Sequence, residues 1–158
     1  MSKTSLLAWL FAGAVLLFSV AVLAHGLRLF FEKRRMKKAR RIFRPQRERL
    51  EAKFFDLAAN SGKPRGLKRV ACDFSVAVCF ARDRKNGAPL ALVAVTISFE
   101  AIEGGGMEEV EAVSNLRAAT GIFYFEGNCW STRGRVLFNL DPTEAIDRME
   151  GVMEKVSD

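Results

Sequence analysis

The chain divides by the period at which its apolar side chains recur. From Leu6 to Ala24 it reads LLAWLFAGAVLLFSVAVLA, 19 residues without a charge. A helix of that length, rising about 1.5 Å per residue, covers about the 30 Å hydrocarbon thickness of a bilayer, so residues 1–27 are expected to hold a single transmembrane helix. Leu27, Leu29, Phe30 and Phe31 carry the apolar character past His25 and Gly26, and Trp9 suits the opposite interface. A cleaved secretory leader is the competing reading, with Lys3 as its basic start and Val22-Leu23-Ala24 as its cleavage site. The apolar core is longer than the about 7–15 residues usual in such leaders.

Helical spacing continues through residues 28–44, where Leu29, Met36, Ala39 and Phe43 recur among basic residues. Pro45 is expected to end that basic juxtamembrane helix and to open a second one, because a proline disfavours helical geometry in the residue before it and fits a first turn. Leu50, Phe54, Leu57 and Ala58 then form an apolar stripe that must bury against something, and Asn60-Ser61-Gly62 closes the helix. Lys63-Pro64-Arg65-Gly66 reads as a turn-rich connection and lacks the glycine and lysine spacing of a phosphate-binding loop.

Beyond Leu67 the period falls to two. Val70, Cys72, Phe74, Val76, Val78 and Phe80 alternate with small or polar residues, and Val93, Val95, Ile97 and Phe99 do the same after a turn at Asn86-Gly87. Two further strands, Leu116–Phe125 and Cys129–Leu140, flank Glu126-Gly127-Asn128, with Phe123 and Phe125 on one face, Ile122 and Tyr124 on the other, and Trp130, Val136 and Phe138 sharing parity. Asp141-Pro142-Thr143-Glu144 combines a capping aspartate, a first-turn proline and a third-position glutamate, and predicts a final helix with Ala145, Ile146, Met149, Val152, Met153 and Val156 as its buried stripe.

The expected domain at 45–158 is therefore α+β: a four-stranded antiparallel sheet packed with an N-terminal and a C-terminal helix. This element order resembles the cystatin or NTF2-like arrangement, in which a curved sheet wraps a helix. The resemblance implies a concave sheet able to enclose a pocket, which Tyr124, Trp130, Arg117 and Arg133 would line; aromatics at strand spacing are more often core.

Charge changes the picture. The formal net charge is +7, of which residues 28–49 carry +9 while residues 62–158 carry −2. The basicity belongs to the segment after the apolar stretch, so the folded domain is not expected to bind nucleic acid. Arg28, Lys33, Arg34, Arg35, Lys37, Lys38, Arg40, Arg41 and Arg44 are the expected contacts to anionic lipid headgroups, each near-surface cation contributing about 1 kcal/mol. A pure topology signal is the plainer alternative. By the positive-inside rule the N-terminus lies outside and the domain is cytoplasmic. Three cysteines without a CxxC pair fit a reducing compartment.

Candidate chemistry is sparse. The single histidine, His25, stands at the membrane boundary, which removes Ser-His, Cys-His and multi-histidine metal schemes, and no cofactor or metal is expected. Asp73 and Glu100 are a carboxylate pair that strands could oppose. The segment IEGGGMEEVEAVSN, with Glu103, Gly104, Gly105, Gly106, Glu108 and Glu109, is a candidate partner-binding loop without a calcium-loop pattern. The expectation is a non-enzymatic interaction or scaffold domain at the cytoplasmic membrane surface, touching anionic lipid and a protein partner. The alternative is a tethered ligand-binding or enzymatic domain with an NTF2-like cavity, and a filled sheet interior would separate the two.

Overall fold

A computed structural model describes residues 3–60, 67–104 and 116–156. The elements are α1 (Lys3–Asn60), β1 (Leu67–Asp83), β2 (Pro89–Ala101), β3 (Arg117–Glu126), β4 (Cys129–Phe138), α2 (Pro142–Arg148) and β5 (Met153–Lys155). The chain forms two compact units, Met1–Lys37 and Lys38–Asp158.

The first unit is helical. Leu16, Leu17, Phe18 and Leu23 are exposed, and α1 is long and apolar enough near the N-terminus to cross a membrane. Arg28 pairs with Glu32 one turn on, at 3.0 Å, and the Arg34 guanidinium lies 4.8 Å from the centre of the Phe30 ring.

In the second unit α1 supplies residues 38–60, and the expected break at Pro45 is absent: the proline lies inside the helix. An interior proline removes one backbone hydrogen bond and costs about 3 kcal/mol. Ala39, Phe43, Leu50, Phe54 and Ala58 nevertheless form one continuous buried stripe across it. Complete burial of each phenylalanine contributes about 1.5–3 kcal/mol, so packing on both sides of Pro45 outweighs the local penalty. Pro45 and Arg41, the residue whose carbonyl loses its helical donor, are exposed, where water can replace the missing bond. Residues 39 and 43, read from sequence as part of a basic segment, thus belong to the core.

The sheet has five strands in the order β4-β3-β2-β1-β5, all antiparallel. Both expected hairpins form. At the first, Gly87 has φ +66° and the Asp83 carboxylate accepts the Lys85 and Asn86 amides; at the second, Gly127 and Asn128 both have positive φ, as a tight two-residue turn requires. Three irregularities interrupt the ladders: one extra residue in β1 between Arg69 and Ala71, and two wider bulges. Phe74 pairs with Val95 and Val78 with Val93, so three residues of β1 face one of β2; likewise three residues of β4, including Gly134, separate the partners of Gly121 and Phe123. Each of the two wider bulges adds two residues and keeps the side-chain parity on either side, whereas the single extra residue between Arg69 and Ala71 shifts it; Val76, in the wider bulge of β1, is 89% exposed.

The two faces of the sheet carry different cores. Toward α1, Ala91, Val93, Phe123, Phe125 and Trp130 meet the helical stripe, with Phe74, Val78 and Phe80 packed beside them. Phe43 stands edge-on to Trp130 at 5.0 Å and to Phe123 at 5.7 Å between ring centres. On the opposite face Leu90, Leu92 and Ile122 meet Ala145, Ile146 and Met153. The Trp130 indole donates to the Ala39 carbonyl at 2.9 Å, so the one polar atom of that ring is satisfied inside the core.

The C-terminal region corrects the sequence reading. The start is as expected: the Asp141 carboxylate accepts from the Thr143 and Glu144 amides and the Glu144 side chain accepts from the Asp141 amide. The helix stops at Arg148, however, and Met153–Lys155 form a fifth strand against Ala81–Asp83. Gly151 disfavours continued helix, and β1 offers an open edge whose backbone groups pair with β5. Met153 is buried by the strand while Val152, expected in a helical stripe, is 49% exposed.

Close approach of helix and sheet makes one glycine indispensable. Gly134 has φ +66°, and a Cβ there would sit 2.7 Å from the Ala58 nitrogen and 2.8 Å from the Leu57 Cβ. Gly134→Ala combines a left-handed backbone with a clash against helix backbone, and should cost about 2–4 kcal/mol. The denaturation midpoint of the detergent-solubilised chain measures it; an unchanged midpoint would show that α1 does not lie against β4.

Candidate functional site

Two neighbouring residues of α1 reach strands on opposite sides of the sheet. Gln46 Oε1 accepts the Trp130 amide of β4 at 3.3 Å. Arg47 Nη1 donates to the Val76 carbonyl of β1 at 2.8 Å, Nη2 donates to the Ser75 carbonyl, and Nε donates to Glu51. In a flat sheet β1 and β4 would stand about 14 Å apart, three strand spacings. Adjacent helical residues can bond to both only because the sheet curls around α1. Gln46 thus takes a backbone amide of β4, and Arg47 takes the carbonyls of the β1 bulge.

The interior of the curl is filled. Phe43, Phe54, Phe123 and Phe125 are essentially inaccessible and Trp130 is 5% exposed, so the residues that the cystatin or NTF2-like resemblance assigns to a pocket do other work. Trp130 is core. Tyr124 lies on the opposite face, with the Arg133 guanidinium 4.7 Å from its ring centre and Arg133 paired to Glu126 at 2.7 Å. Arg117 is exposed opposite Ile97.

A cleft of about 350 Å³ lies instead on the α2 face, open to solvent, its floor made by Ala94, Thr96 and Ala118 and its rim by Asp73, Ser75 and Asp141. The Asp141 carboxylate is engaged in capping α2, and the Ser75 hydroxyl accepts the Ala77 amide at 3.3 Å. Asp73 pairs across strands with Thr96 and Glu100 with Lys68, so the two carboxylates are not opposed. Among the described residues no group of three or more His, Cys, Asp or Glu side chains is placed to hold a metal ion.

The cations singled out from sequence separate into two kinds. Arg28, Lys33, Arg34, Arg35, Lys37, Lys38, Arg41 and Arg44 are exposed. Arg40 is half-buried: its guanidinium lies 5.3 Å from the centre of the Phe80 ring, and Nη2 donates to the Val156 carbonyl at 3.4 Å. Of the candidate partner loop, Glu103 and Gly104 form an exposed turn with Gly104 at φ +77°; Gly105, Gly106, Glu108 and Glu109 lie outside the described residues. Gln46 and Arg47 were invisible as site residues because nothing in their spacing says that they reach strand edges; only the bulge in β1 and the curl of the sheet bring the partners within range.

Arg47→Met, which keeps the apolar stem and removes the donors, should cost about 1–3 kcal/mol for the carbonyls left without a partner. It should also speed amide exchange at Ala77 and Val78; wild-type exchange there would mean that the guanidinium does not hold the bulge. No protein-family model, curated protein or solved structure matches the chain.

Proposed function

We propose that this chain is a single-pass membrane-anchored protein whose α+β domain serves as an interaction or scaffold module at the cytoplasmic membrane surface. The observation that carries the choice of a binding module over a tethered enzyme is the filled interior of the sheet: Phe43, Phe54, Phe123, Phe125 and Trp130 occupy the space that a cystatin or NTF2-like cavity would need. The helix held in a curled antiparallel sheet supports that fold reading in its packed form.

The anchor is the apolar stretch of α1, whose side chains from Val15 to Leu23 find no protein cover. The orientation rests on charge, because Lys3 alone precedes the stretch and nine cations follow it within residues 28–44. Contact with anionic headgroups falls to the exposed cations Arg28, Lys33, Arg34, Arg35, Lys37, Lys38, Arg41 and Arg44. Arg40 serves the fold, being spent on Phe80 and Val156. The protein partner meets the outer surface and edges of the sheet.

Protease protection of cells carrying a C-terminal tag tests the topology. The tag should resist external protease in intact cells and be digested once the membrane is opened; digestion from outside would reverse the orientation. A second measurement tests the lipid contact. A peptide covering residues 28–44 should bind anionic vesicles in a salt-sensitive way and lose about 1 kcal/mol for each of Lys38, Arg41 and Arg44 changed to Gln. In the whole chain Arg40→Gln should instead lower the melting temperature. Equal binding of the peptide to neutral vesicles would remove the electrostatic role.

A further inference from the structure

Aromatic contacts fix which end of the domain the chain enters. Phe43 stands 5.9 Å from Phe80, whereas Phe54, about three turns on, stands 5.4 Å from Phe74, and Leu57 lies against Gly134. β1 therefore runs antiparallel to the helix. Its C-terminal end, with the turn that joins it to β2, lies at the end where Lys38 enters the domain. Arg84 follows Phe80 by about 13 Å of strand, and Lys38 precedes Phe43 by about 7–8 Å of helix. The turn thus reaches at least as far toward the incoming chain as Lys38 does. We propose that the β1–β2 turn docks on the anionic lipid surface and gives the domain a second foothold there, remote in sequence from the basic segment 28–44. The inference rests on the proposed membrane anchor and adds a lipid contact made by the sheet.

The chemistry of this end suits that surface. Arg84, Lys85 and Asn86 are exposed, and Val152, whose carbonyl accepts the Arg84 amide at 2.8 Å, is 49% exposed beside them. Lys155, on the strand paired with Ala81–Asp83, is exposed as well. Cations beside an apolar side chain make an interfacial contact: the charges meet headgroups while the apolar group enters the boundary. Several neighbouring carboxylates are engaged within the domain. Asp83 accepts the Lys85 and Asn86 amides, Glu154 lies 3.6 Å from Arg82 and 4.0 Å from Arg84, and Glu126 at the other hairpin turn pairs with Arg133 at 2.7 Å. Glu150 is exposed and offsets one cation.

A short tether makes the contact reachable. Residues 28–37 join the apolar stretch to the domain, so Lys38 lies within about 35 Å of the bilayer even with that segment fully extended. Attraction to headgroups fades beyond a Debye length of about 8 Å, and the turn must therefore lie against the surface to contribute. Holding the domain beside the membrane makes this second contact intramolecular. A few cations then suffice where an untethered domain would need a denser cluster. The two exposed cations of the turn, Arg84 and Lys85, are the ones on which the contact depends.

The test uses the full chain in nanodiscs of phosphatidylcholine alone or mixed in equal parts with phosphatidylserine, each with a trace of lipid whose headgroup chelates gadolinium. Amide relaxation at Lys85, Asn86 and Val152 should be enhanced in the anionic discs and fall on raising salt. Arg84→Gln and Lys85→Gln should each lower the ratio of docked to free turn by about fivefold, so the double variant should lose most of the enhancement. Thermal melting of each variant confirms its fold. No enhancement at the turn, equal enhancement in neutral discs, or wild-type enhancement in the double variant each overturns the proposal. Enhancement along residues 28–37 with none at the turn overturns the second foothold alone, whereas its absence at both places overturns the anchor reading with it.

Discussion

Burial of the stripe Ala39, Phe43, Leu50, Phe54 and Ala58 inside the curl of the sheet is the interaction on which the rest of the domain depends. It carries α1 through Pro45, because the apolar area held on both sides of the proline is worth more than one helical hydrogen bond. It brings the helix so near the sheet that Gly121 faces the Phe54 ring, where a Cβ would lie 3.0 Å away, and Gly134 faces helix backbone. It sets Gln46 and Arg47 within reach of β4 and β1. The two wider bulges belong to the same geometry: each adds twist and keeps the face alternation of the strand on either side.

Among the described residues the inside of the bend is filled by Phe43, Phe54, Phe123, Phe125 and Trp130. The described outer surface holds an open cleft beside α2 and an exposed basic face on α1. The arginines show how finely charge is divided. Arg40 and Arg47 point into the domain, one over Phe80 and one onto the β1 bulge, while Lys38, Arg41 and Arg44 remain in solvent. Counting charge along the chain treats all of these alike, although some hold the fold together and others are available to a partner or a headgroup.

Much of the fold was legible in the sequence. The apolar run, the strand periods, both hairpin turns and the capping sequence at Asp141 are local signals, and each marks the structure where it was read. The failures were contests between local and tertiary terms. Pro45 reads as a break because its cost is local, whereas the burial that overrides it depends on Trp130, Phe123 and Phe80, far along the chain. The end of the last helix was misread because Met153 fits a helical stripe and a three-residue strand equally well; the backbone edge of β1, which decides between them, leaves no trace in residues 149–156. Val76 has the parity of a core residue, and only the bulge reveals that it is exposed. The candidate site was the least legible part, because the strand backbone groups that bond to Gln46 and Arg47, an amide and two carbonyls, are ones that nearly every residue possesses.

The central claim is that residues 38–60 of α1 are the core of the domain and not a stalk leading to it. Amide hydrogen exchange on the intact chain tests this most directly. Amides of the helix near Leu50 and Phe54 should be protected to the same degree as those at the centre of β2, around Leu92 and Val93, and should open with them in one cooperative unfolding event. A helix whose amides exchange freely while β2 stays protected would contradict the account.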